Sequence, residues 1–248
     1  GLGKTVQALA WLLWLRGLPE FAGGASLVVC PKSVTDNWFA ESARFAAGLR
    51  VQVLARGAST EALKKACKEA DLVVINYAQL RSLQTAICAV PWHVAILDEA
   101  QYIKNPDSQT AKAAWALRAG HRLALSGTPI ENRLLDLWSI MGFAMPGVLG
   151  KRAAFAKSFD QRGDPFARTR LAARVRPFVL RRTKTEVAKD LPERSEEDLF
   201  CELEGEQATL YRAELKRARA ALLNIQTAKE LDKSRFNILT SLLRLRQI

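Results

Sequence analysis

Histidine and cysteine are scarce in this 248-residue chain, which limits the metal and redox sites that it could hold. There are two histidines, and the four cysteines (Cys30, Cys67, Cys88 and Cys201) are scattered without paired spacing. Zinc sites and disulfide frameworks need such residues in closely spaced sets. The sequence therefore argues against both, and unpaired cysteines are typical of a reducing, cytoplasmic environment.

Long hydrophobic runs are also missing. The longest, Ala8 to Leu15, is far shorter than the roughly 20 apolar residues that span a bilayer, and no signal peptide opens the chain. We therefore expect no membrane partner. Apolar residues still make up 49% of the chain, which is enough for the core of one large domain, or of one domain with a small appendage.

Acidic residues are outnumbered by basic ones, 25 against 37, so the formal net charge is +12. The excess is larger in residues 151–248, which carry 22 Lys and Arg against 14 Asp and Glu. This balance favours a polyanionic partner such as nucleic acid. A soluble basic surface without such a partner is the alternative, and charge alone does not decide between the two.

Strand and helix patterns alternate through the first half of the chain. Short runs rich in Val, Ile and Leu predict buried strands at Ser26–Cys30, Val51–Leu54, Leu72–Asn76, His93–Leu97 and Arg122–Ser126. Amphipathic segments predict helices at Lys4–Arg16, Val34–Ala46, Thr60–Glu69, Ala78–Ala89 and Ser108–Ala119. Alternation at this spacing predicts an α/β fold with a parallel sheet between helices.

Beyond Ser126 the pattern is mainly helical. We predict helices at Glu131–Ala144, Arg152–Phe159, Phe166–Val175, Glu206–Ala228 and Asp232–Ile248, and one strand at Glu196–Leu203. The chain begins inside what resembles a phosphate-binding loop, and it ends within a helical pattern that has no cap. We therefore expect a longer polypeptide on both sides.

The residues Gly1-Leu2-Gly3-Lys4-Thr5 have the composition of the last part of a Walker A loop. Glycines let backbone N–H groups close around phosphate oxygens, the lysine meets the outer phosphates, and the threonine hydroxyl ligates Mg²⁺. A helix that begins near Lys4 would add its positive end. Taken alone, five residues of this kind could also be a glycine turn before a helix.

A second signal is the acidic pair Asp98-Glu99, which follows the hydrophobic run Val94–Leu97. Ligands bind at the carboxyl ends of parallel strands in such sheets. We expect Asp98 to hold Mg²⁺ and Glu99 to orient an attacking water, because phosphoryl transfer needs mainly positioning and charge neutralisation. A solvated acidic strand end is the alternative, which the glycine-rich loop about ninety residues upstream makes the weaker one.

A third signal is Leu125-Ser126-Gly127-Thr128-Pro129, where another predicted strand ends in small hydroxyl residues. Such side chains could hydrogen-bond the acidic pair on a neighbouring strand and so report the state of a γ-phosphate. For this string alone, a simple turn is the alternative.

In this order, the motifs make the chain resemble the Swi/Snf-type branch of helicase superfamily 2. The resemblance covers nearly the whole chain and is most specific in IKNP, after the acidic pair, and in GTPIENRLLDLWS. It is carried by GLGKTVQ, VVCPKSVTDNW, VVINYAQLR, LDEAQYIKNPDSQTAKA, LSGTPIENRLLDLWSIMGFAMPGVLG, PFVLRRTKTEVAKDLPERSE and LTSLLRLRQ.

The resemblance implies a RecA-like P-loop NTPase lobe that uses ATP and Mg²⁺. The residues implied to contact the nucleotide are Gly1, Leu2, Gly3, Lys4 and Thr5. Thr5 and Asp98 would hold the metal, and Glu99 would activate the water. Gln101 stands where many relatives have His, which leaves open how it couples to Ser126, Gly127 and Thr128.

The resemblance also implies contacts with the backbone of duplex DNA in four segments. These are Pro31, Lys32 and Ser33; Asn76 and Tyr77; Lys104 and Asn105; and Arg181 and Arg182. The family usually has Thr before the Tyr, where this chain has Asn76. The arginines at 168, 170, 174 and 176 are as consistent with a solvated helix face as with DNA contact. We expect Trp38 to pack in the interior rather than to stack on bases.

The implied organisation is a RecA-like lobe at residues 1–149, a helical protrusion with a basic brace at 150–195, and at 196–248 the start of a connection to a second RecA-like lobe. The implied activity is ATP-dependent translocation on double-stranded DNA with remodelling of nucleoprotein, at the nucleoid of a bacterium or in a eukaryotic nucleus. Two alternatives stay open: a nucleic-acid-binding module with weak catalysis, and an ATPase that acts on RNA polymerase or RNA.

Overall fold

A computed structural model of the chain describes residues 2–19, 23–127, 134–159, 166–187, 197–200, 202–223 and 228–248. The chain forms two compact units, Gly1–Val187 and Ala188–Ile248. The domain boundaries expected after residues 149 and 195 stay predictions.

A parallel sheet of five strands is the centre of the first unit, with the strand order β2-β3-β1-β4-β5. The strands are β1 (Ser26–Cys30), β2 (Val51–Val53), β3 (Leu72–Asn76), β4 (Pro91–Leu97) and β5 (Arg118–Ala124). The helices of this unit are α1 (Lys4–Arg16), α2 (Thr35–Phe45), α3 (Thr60–Glu69), α4 (Tyr77–Ser82), α5 (Gln84–Ala89), α6 (Gln109–Trp115), α7 (Leu134–Ala144), α8 (Arg152–Phe159), α9 (Ala167–Val175) and α10 (Lys184–Val187). Single 3₁₀ turns lie at Lys32–Val34, Ala100–Ile103 and Arg176–Phe178.

Helices cover both faces of the sheet because successive strand residues point to opposite sides. On one face, Val29 and Leu97 belong to a buried cluster with residues of α3 to α7. On the other, Val28 and Ile96 belong to a buried cluster with α1 and α2. The predicted α/β fold with its sheet between helices is therefore confirmed.

Short polar side chains fix where several helices begin. Ser59 accepts a hydrogen bond from the backbone N–H of Ala62, and Ser108 accepts one from Ala111, so α3 and α6 each have an N-cap. At the end of β3, Asn76 and Gln79 form a reciprocal capping box that starts α4 directly after the strand.

A smaller apolar cluster joins α7, α8 and α9. Phe155 of α8 and Leu171 of α9 are almost fully buried in it, together with Leu137 of α7. Helix α9 is amphipathic: Leu171 and Val175 face this cluster, whereas Arg168 and Arg174 are exposed. This cluster joins α8 and α9 to α7, which belongs to the predicted lobe 1–149, and the helical protrusion expected at 150–195 stays a prediction.

Two predicted helices have other bounds in the structure. The helix predicted at Ser108–Ala119 ends at Trp115, because β5 begins at Arg118 and pairs with the full length of β4 from Pro91 onward. The helix predicted at Ala78–Ala89 is divided at Leu83 into α4 and α5.

The second unit contains two long helices, α11 (Gly205–Leu223) and α12 (Ala228–Gln247). Tyr211 and Leu215 of α11, and Ile238 and Leu245 of α12, are half-buried at helical spacing. The strand predicted at Glu196–Leu203 is wrong for the parts described, since residues 197–200 and 202–204 have no regular structure; Glu196 and Cys201 lie outside the described residues. In the parts of the chain that the structure describes, no helix is long and apolar enough to cross a membrane.

Asp71, just before β3, holds two arginines at the amino edge of the sheet. Its carboxylate accepts hydrogen bonds from the Nε and Nη2 groups of Arg50 at 3.1 and 2.9 Å. Arg16, the last residue of α1, approaches the same carboxylate to 3.1 Å. The hydrogen bonds from Arg50, with the charges of both arginines, lower the pKa of Asp71 to about 2.

We predict that Asp71→Asn destabilises this chain by about 1–2 kcal/mol at pH 7, a figure reduced for the solvent exposure of Arg50. Because the folded-state pKa lies below the unfolded one, the contribution is complete above about pH 4, decreases below it, and is lost as the pH falls through about 2. Urea denaturation of wild type and variant at pH 7 and at pH 2.5 measures this. Glu69→Gln, which removes an exposed partner of Lys65, is the control and should change little. A difference as large at pH 2.5 as at pH 7 would contradict the assignment.

Candidate nucleotide-binding site

The start of α1 has the geometry of an anion-binding helix terminus. Gly3 has φ 70° and ψ 31°, a left-handed conformation that glycine adopts without cost. The Gln7 side chain donates to the carbonyl of Leu2 at 3.1 Å and so ties the loop to the first turn of the helix. The first N–H groups of a helix have no intrahelical partners and attract phosphate. Lys4 and Thr5 are half-buried in this first turn, and Gly1 lies outside the described residues.

The direction of α1 brings Lys4 to the carboxyl edge of the sheet. Arg16 is held at the amino edge by Asp71, and α1 packs along the sheet face that includes Val28 and Ile96. From Lys4 to Arg16 the helix rises about 18 Å, and β4 spans a similar length of roughly 20 Å. Lys4 therefore lies at the same edge as Asp98, which follows β4.

Asp98 is a buried carboxylate, 8% exposed, in a fixed orientation. Its backbone N–H donates to the carbonyl of Val29 at 2.8 Å, which extends the pairing of β4 with β1 by one residue. Its Oδ1 accepts from the N–H of Glu99 at 3.0 Å, and its Oδ2 accepts from the indole Nε1 of Trp38 at 2.9 Å. Both donors are neutral, so the negative charge of Asp98 is oriented but not neutralised.

Glu99 is the one described non-glycine residue with a positive φ, at φ 50° and ψ 54°. This left-handed conformation is unfavourable for a residue with a Cβ, and it persists only where neighbours enforce it. Two hydrogen bonds do so here. The Tyr77 hydroxyl donates to the Asp98 carbonyl at 2.7 Å, and the N–H of Ala100 donates to the Leu125 carbonyl at 2.8 Å.

A chain of side-chain hydrogen bonds joins three of the predicted coupling and catalytic residues. The Ser126 hydroxyl donates to Gln101 Oε1 at 2.9 Å, and Gln101 Nε2 donates to Glu99 Oε2 at 2.7 Å. The glutamine amide thus links the end of β5 to Asp98 and Glu99, which we call the acidic turn, with one donor and one acceptor. Gly127 is exposed next to Ser126, and Thr128 lies outside the described residues.

The residues present fit a magnesium-bound nucleotide. A buried carboxylate needs a cation, and within the described residues no basic side chain forms an ion pair with Asp98. The Thr5 hydroxyl and the Asp98 oxygens are ligands that Mg²⁺ prefers. Groups of three or more His, Cys, Asp or Glu are absent from the described parts of the chain.

Two neighbours of Asp98 are kept neutral by the site. Burial, with a further contribution from the charge of Asp98, raises the pKa of Cys30 to about 12. Burial, and then the charge of Asp98, raises the pKa of Tyr77 above its ordinary range. Both groups therefore keep their protons at neutral pH, and the Tyr77 hydroxyl stays a hydrogen-bond donor to the acidic turn.

The residues implied to contact DNA fall into two places. Lys32, Ser33 and Asn105 are exposed and Pro31 and Lys104 half-buried, in the segments that follow the carboxyl ends of β1 and β4. Arg181 and Arg182 are exposed in the segment after the 3₁₀ turn Arg176–Phe178, and no described hydrogen bond or ion pair joins them to the acidic turn.

Asn76 and Tyr77 have structural roles that limit what they can offer to DNA. Asn76 Oδ1 accepts from the N–H groups of Ala78 and Gln79, so its Nδ2 group is what is left to donate to a phosphate. Tyr77 is 3% exposed, and its ring stacks on that of Tyr102 with centroids 4.7 Å apart. The Tyr77 side chain is therefore buried and supports the turn at Asp98 and Glu99, and the DNA contact of this segment stays a prediction.

Trp38 is the residue of this site that the sequence did not reveal. It was expected to pack in the interior, and it is 1% exposed in the cluster beneath α1. Its hydrogen bond to Asp98 joins residues 60 positions apart in the sequence. The signal that could have found it is general: a buried indole N–H needs an acceptor, and the acidic pair is a strong one.

Comparison with known proteins gives consistent matches. The family model of the SNF2-related domain matches residues 1–248. The chain is 38% identical over 253 residues to an ATP-dependent helicase of Mycoplasma pneumoniae, covering 100% of this chain and 24% of that protein. It is 35% identical over 237 residues to the TATA-binding protein-associated factor MOT1 of Saccharomyces cerevisiae, covering 85% of this chain and 13% of that protein.

A solved structure has the same fold over the whole chain. It is the SWI2/SNF2 ATPase core of Sulfolobus solfataricus in complex with double-stranded DNA, which has a TM-score of 0.69 and 38% sequence identity. The match covers 100% of this chain and 52% of that one. The chain thus spans about a quarter or less of the curated relatives above and about half of the solved core.

We predict that Cys30 resists alkylation in the folded chain, because its thiol is both buried and held protonated. At pH 8 its reaction with iodoacetamide should be roughly a thousandfold slower than in urea. Peptide mass spectrometry would measure the rate, with the half-buried Cys67 as an internal reference. Asp98→Asn should leave Cys30 protected, since burial is the larger cause of its raised pKa. Alkylation of native Cys30 as fast as that of Cys67 would refute this.

Proposed function

The chain belongs to the SNF2-related domain family, and on that premise we propose that it is the ATP-binding half of a motor that hydrolyses ATP and translocates along double-stranded DNA. The observation that carries the proposal is the hydrogen-bonded series Ser126–Gln101–Glu99, beside the unneutralised carboxylate of Asp98. The hydrogen-bonded series and the Asp98 carboxylate lie at the carboxyl edge of the sheet, which is also where α1 begins.

Each residue of the site has a distinct part in this proposal. The loop at Gly3 and the N–H groups of the first turn of α1 bind phosphate oxygens, and Lys4 meets the outer phosphates. Thr5 and Asp98 hold Mg²⁺, which neutralises phosphate charge when it is bound. Glu99 accepts a proton from the attacking water and orients it. Gln101 positions Glu99 through the hydrogen bond between their side chains.

The proposed substrate track is the phosphate backbone of duplex DNA. Lys32, Ser33 and Asn105 are exposed beside the carboxyl edge of the sheet, and the chain has a net charge of +12. Contacts of this kind carry little sequence information, so binding is sequence-independent and weakens as salt increases. The Sulfolobus relative, which was solved with double-stranded DNA, supports the same assignment.

The proposed partners are a second RecA-like lobe of the same protein and proteins bound to DNA. The lobe would complete the nucleotide site with arginine side chains, which in comparable NTPases increase the rate about a thousandfold or more. A DNA-bound protein as the object of remodelling is supported by the name of the MOT1 relative, a factor associated with the TATA-binding protein. We propose that the protein acts at the nucleoid of a bacterium or in a eukaryotic nucleus.

Two substitutions in the full-length protein test the catalytic assignment. Lys4→Ala and Glu99→Gln should each lower the DNA-stimulated ATPase rate about a hundredfold or more, because each removes a charge or proton acceptor needed in the transition state. Lys65→Ala, which removes an exposed lysine on α3, is the control and should leave the rate unchanged. Full activity in either site variant would remove the assignment.

The choice of nucleic acid separates this function from its alternatives. Duplex DNA should stimulate the wild-type ATPase more than single strands or RNA do. Stimulation by RNA or by RNA polymerase alone would favour the ATPase that acts on transcription, and no turnover with any of them would favour a binding module.

The 248-residue chain by itself should bind ATP weakly and hydrolyse it slowly, because the arginines of a second lobe are not among its residues. A phosphate-release assay on this chain and on the full-length protein compares the two. We expect a difference of about a thousandfold. Equal turnover would show that the chain holds a complete catalytic site.

A further inference from the structure

We propose that Trp38 and Tyr77 connect the DNA-contacting segments to the acidic turn, so that binding of duplex DNA changes the orientation of Asp98 and Glu99. The inference rests on the proposed function and concerns how the same site is regulated. It is carried by two buried hydrogen bonds that converge on Asp98, one to its carboxylate and one to its carbonyl.

The first connection runs through α2. The exposed residues Lys32 and Ser33 lie in the 3₁₀ turn that leads directly into this helix. The Thr35 hydroxyl donates to the Lys32 carbonyl at 2.9 Å, which fastens the turn to the start of the helix. Trp38 lies one helical turn later and donates to Asp98 Oδ2. A phosphate that displaces the turn would therefore displace the indole that orients Asp98.

The second connection runs through two stacked tyrosines. Tyr77 follows Asn76, a residue implied to contact DNA, and its hydroxyl donates to the Asp98 carbonyl. Its ring lies parallel to that of Tyr102, with an interplanar angle of 3°. Tyr102 is in the 3₁₀ turn Ala100–Ile103, just before Lys104 and Asn105. Two DNA-contacting segments, after β3 and after β4, thus share one aromatic contact at the acidic turn.

Burial makes these connections effective. Trp38 and Tyr77 are 1% and 3% exposed, so water does not compete for their hydrogen bonds, which are stronger in such surroundings. Glu99 is in a strained conformation that depends on its neighbours, and the Tyr77 hydroxyl is one of the groups that hold it. Small movements of either aromatic residue would therefore change the geometry of both carboxylates.

Coupling of this kind is reciprocal and measurable as a ratio of affinities. In the full-length protein, the dissociation constant of a fluorescent, slowly hydrolysed ATP analogue is measured with Mg²⁺, with and without saturating duplex DNA. For wild type we expect the two values to differ by roughly 5- to 150-fold. Trp38→Phe, which keeps a buried ring but removes the N–H donor, should reduce that ratio about fivefold or more. Its affinity for duplex DNA without nucleotide should stay within about twofold of wild type, because Trp38 does not touch DNA.

Trp92→Phe is the matched control. Trp92 is also buried, at 2% exposure, and its indole N–H donates to the Ile87 carbonyl at 2.9 Å, away from the acidic turn. This variant loses the same donor and similar packing, so it should keep the wild-type ratio. Tyr77→Phe, which removes only the hydroxyl that donates to Asp98, is a second test and should lower the ratio as Trp38→Phe does.

The outcomes separate this inference from the function on which it rests. If duplex DNA does not change the affinity of wild type for the analogue, the coupling is wrong, and the DNA-stimulated ATPase rate then decides whether the proposed motor function stands. If wild type shows the coupling and both Trp38→Phe and Tyr77→Phe retain it, the function stands and the aromatic connection is overturned. An equal loss in Trp92→Phe would also overturn it, since the effect would then be one of general packing.

Discussion

The geometry of the candidate site depends on the pairing of β4 with a neighbour on each side. Because β1 and β5 both bond to this strand up to its last residues, the chain that leaves it has little freedom at Asp98. The pairing continues past β5, where Leu125 bonds to both Leu97 and Ala100, so Ser126 is carried to the same turn. Without this double pairing, the strained conformation of Glu99 would relax, and the hydrogen bonds to Gln101 and Ser126 would be lost.

The charge distribution around that turn suits a cation that is bound together with phosphate. Trp38, Cys30 and Tyr77 border Asp98, and all three are neutral at physiological pH. Trp38 orients its carboxylate and Tyr77 holds its carbonyl, and none of the three offsets its charge. Asp71 at the opposite edge is instead paired with two arginines. A buried carboxylate held by neutral donors keeps its affinity for a cation that arrives with a ligand. The two aspartates thus show how one residue type can serve stability at one edge and binding at the other.

Much of the fold could be predicted from the sequence, because the central strands are buried on both sides and so appear as unbroken apolar runs. Ser26–Cys30 and Leu72–Asn76 were predicted with the bounds that the structure has. The start of β5 could not be predicted from local pattern, since three of its first four residues are exposed and only pairing with β4 makes them a strand. Conversely, residues 197–200 and 202–203 belong to a segment that alternates in the sequence, and they have no regular structure.

The site was predictable where neighbouring strand ends carry polar residues, and less so where distant segments meet. Asp98, Gln101 and Ser126 follow adjacent parallel strands, so their proximity could be inferred from topology. The roles of Trp38 and Tyr77 depend on how α2 and α4 pack against the sheet, which no spacing in the sequence encodes.

Helix α1 shows how stability and binding depend on one another in this fold. Its last residue, Arg16, is fixed at the amino edge by Asp71, and its middle is buried against the sheet through Leu9 and Leu12. A rigid helix transmits that constraint to its other end, so the position of Lys4 is set by contacts about 18 Å away. The helix is therefore held in place by residues beyond its first turn, and the N–H groups and the lysine of that turn stay available for phosphate. The ion pair at the amino edge is therefore a condition for the shape of the nucleotide site, although neither arginine touches it.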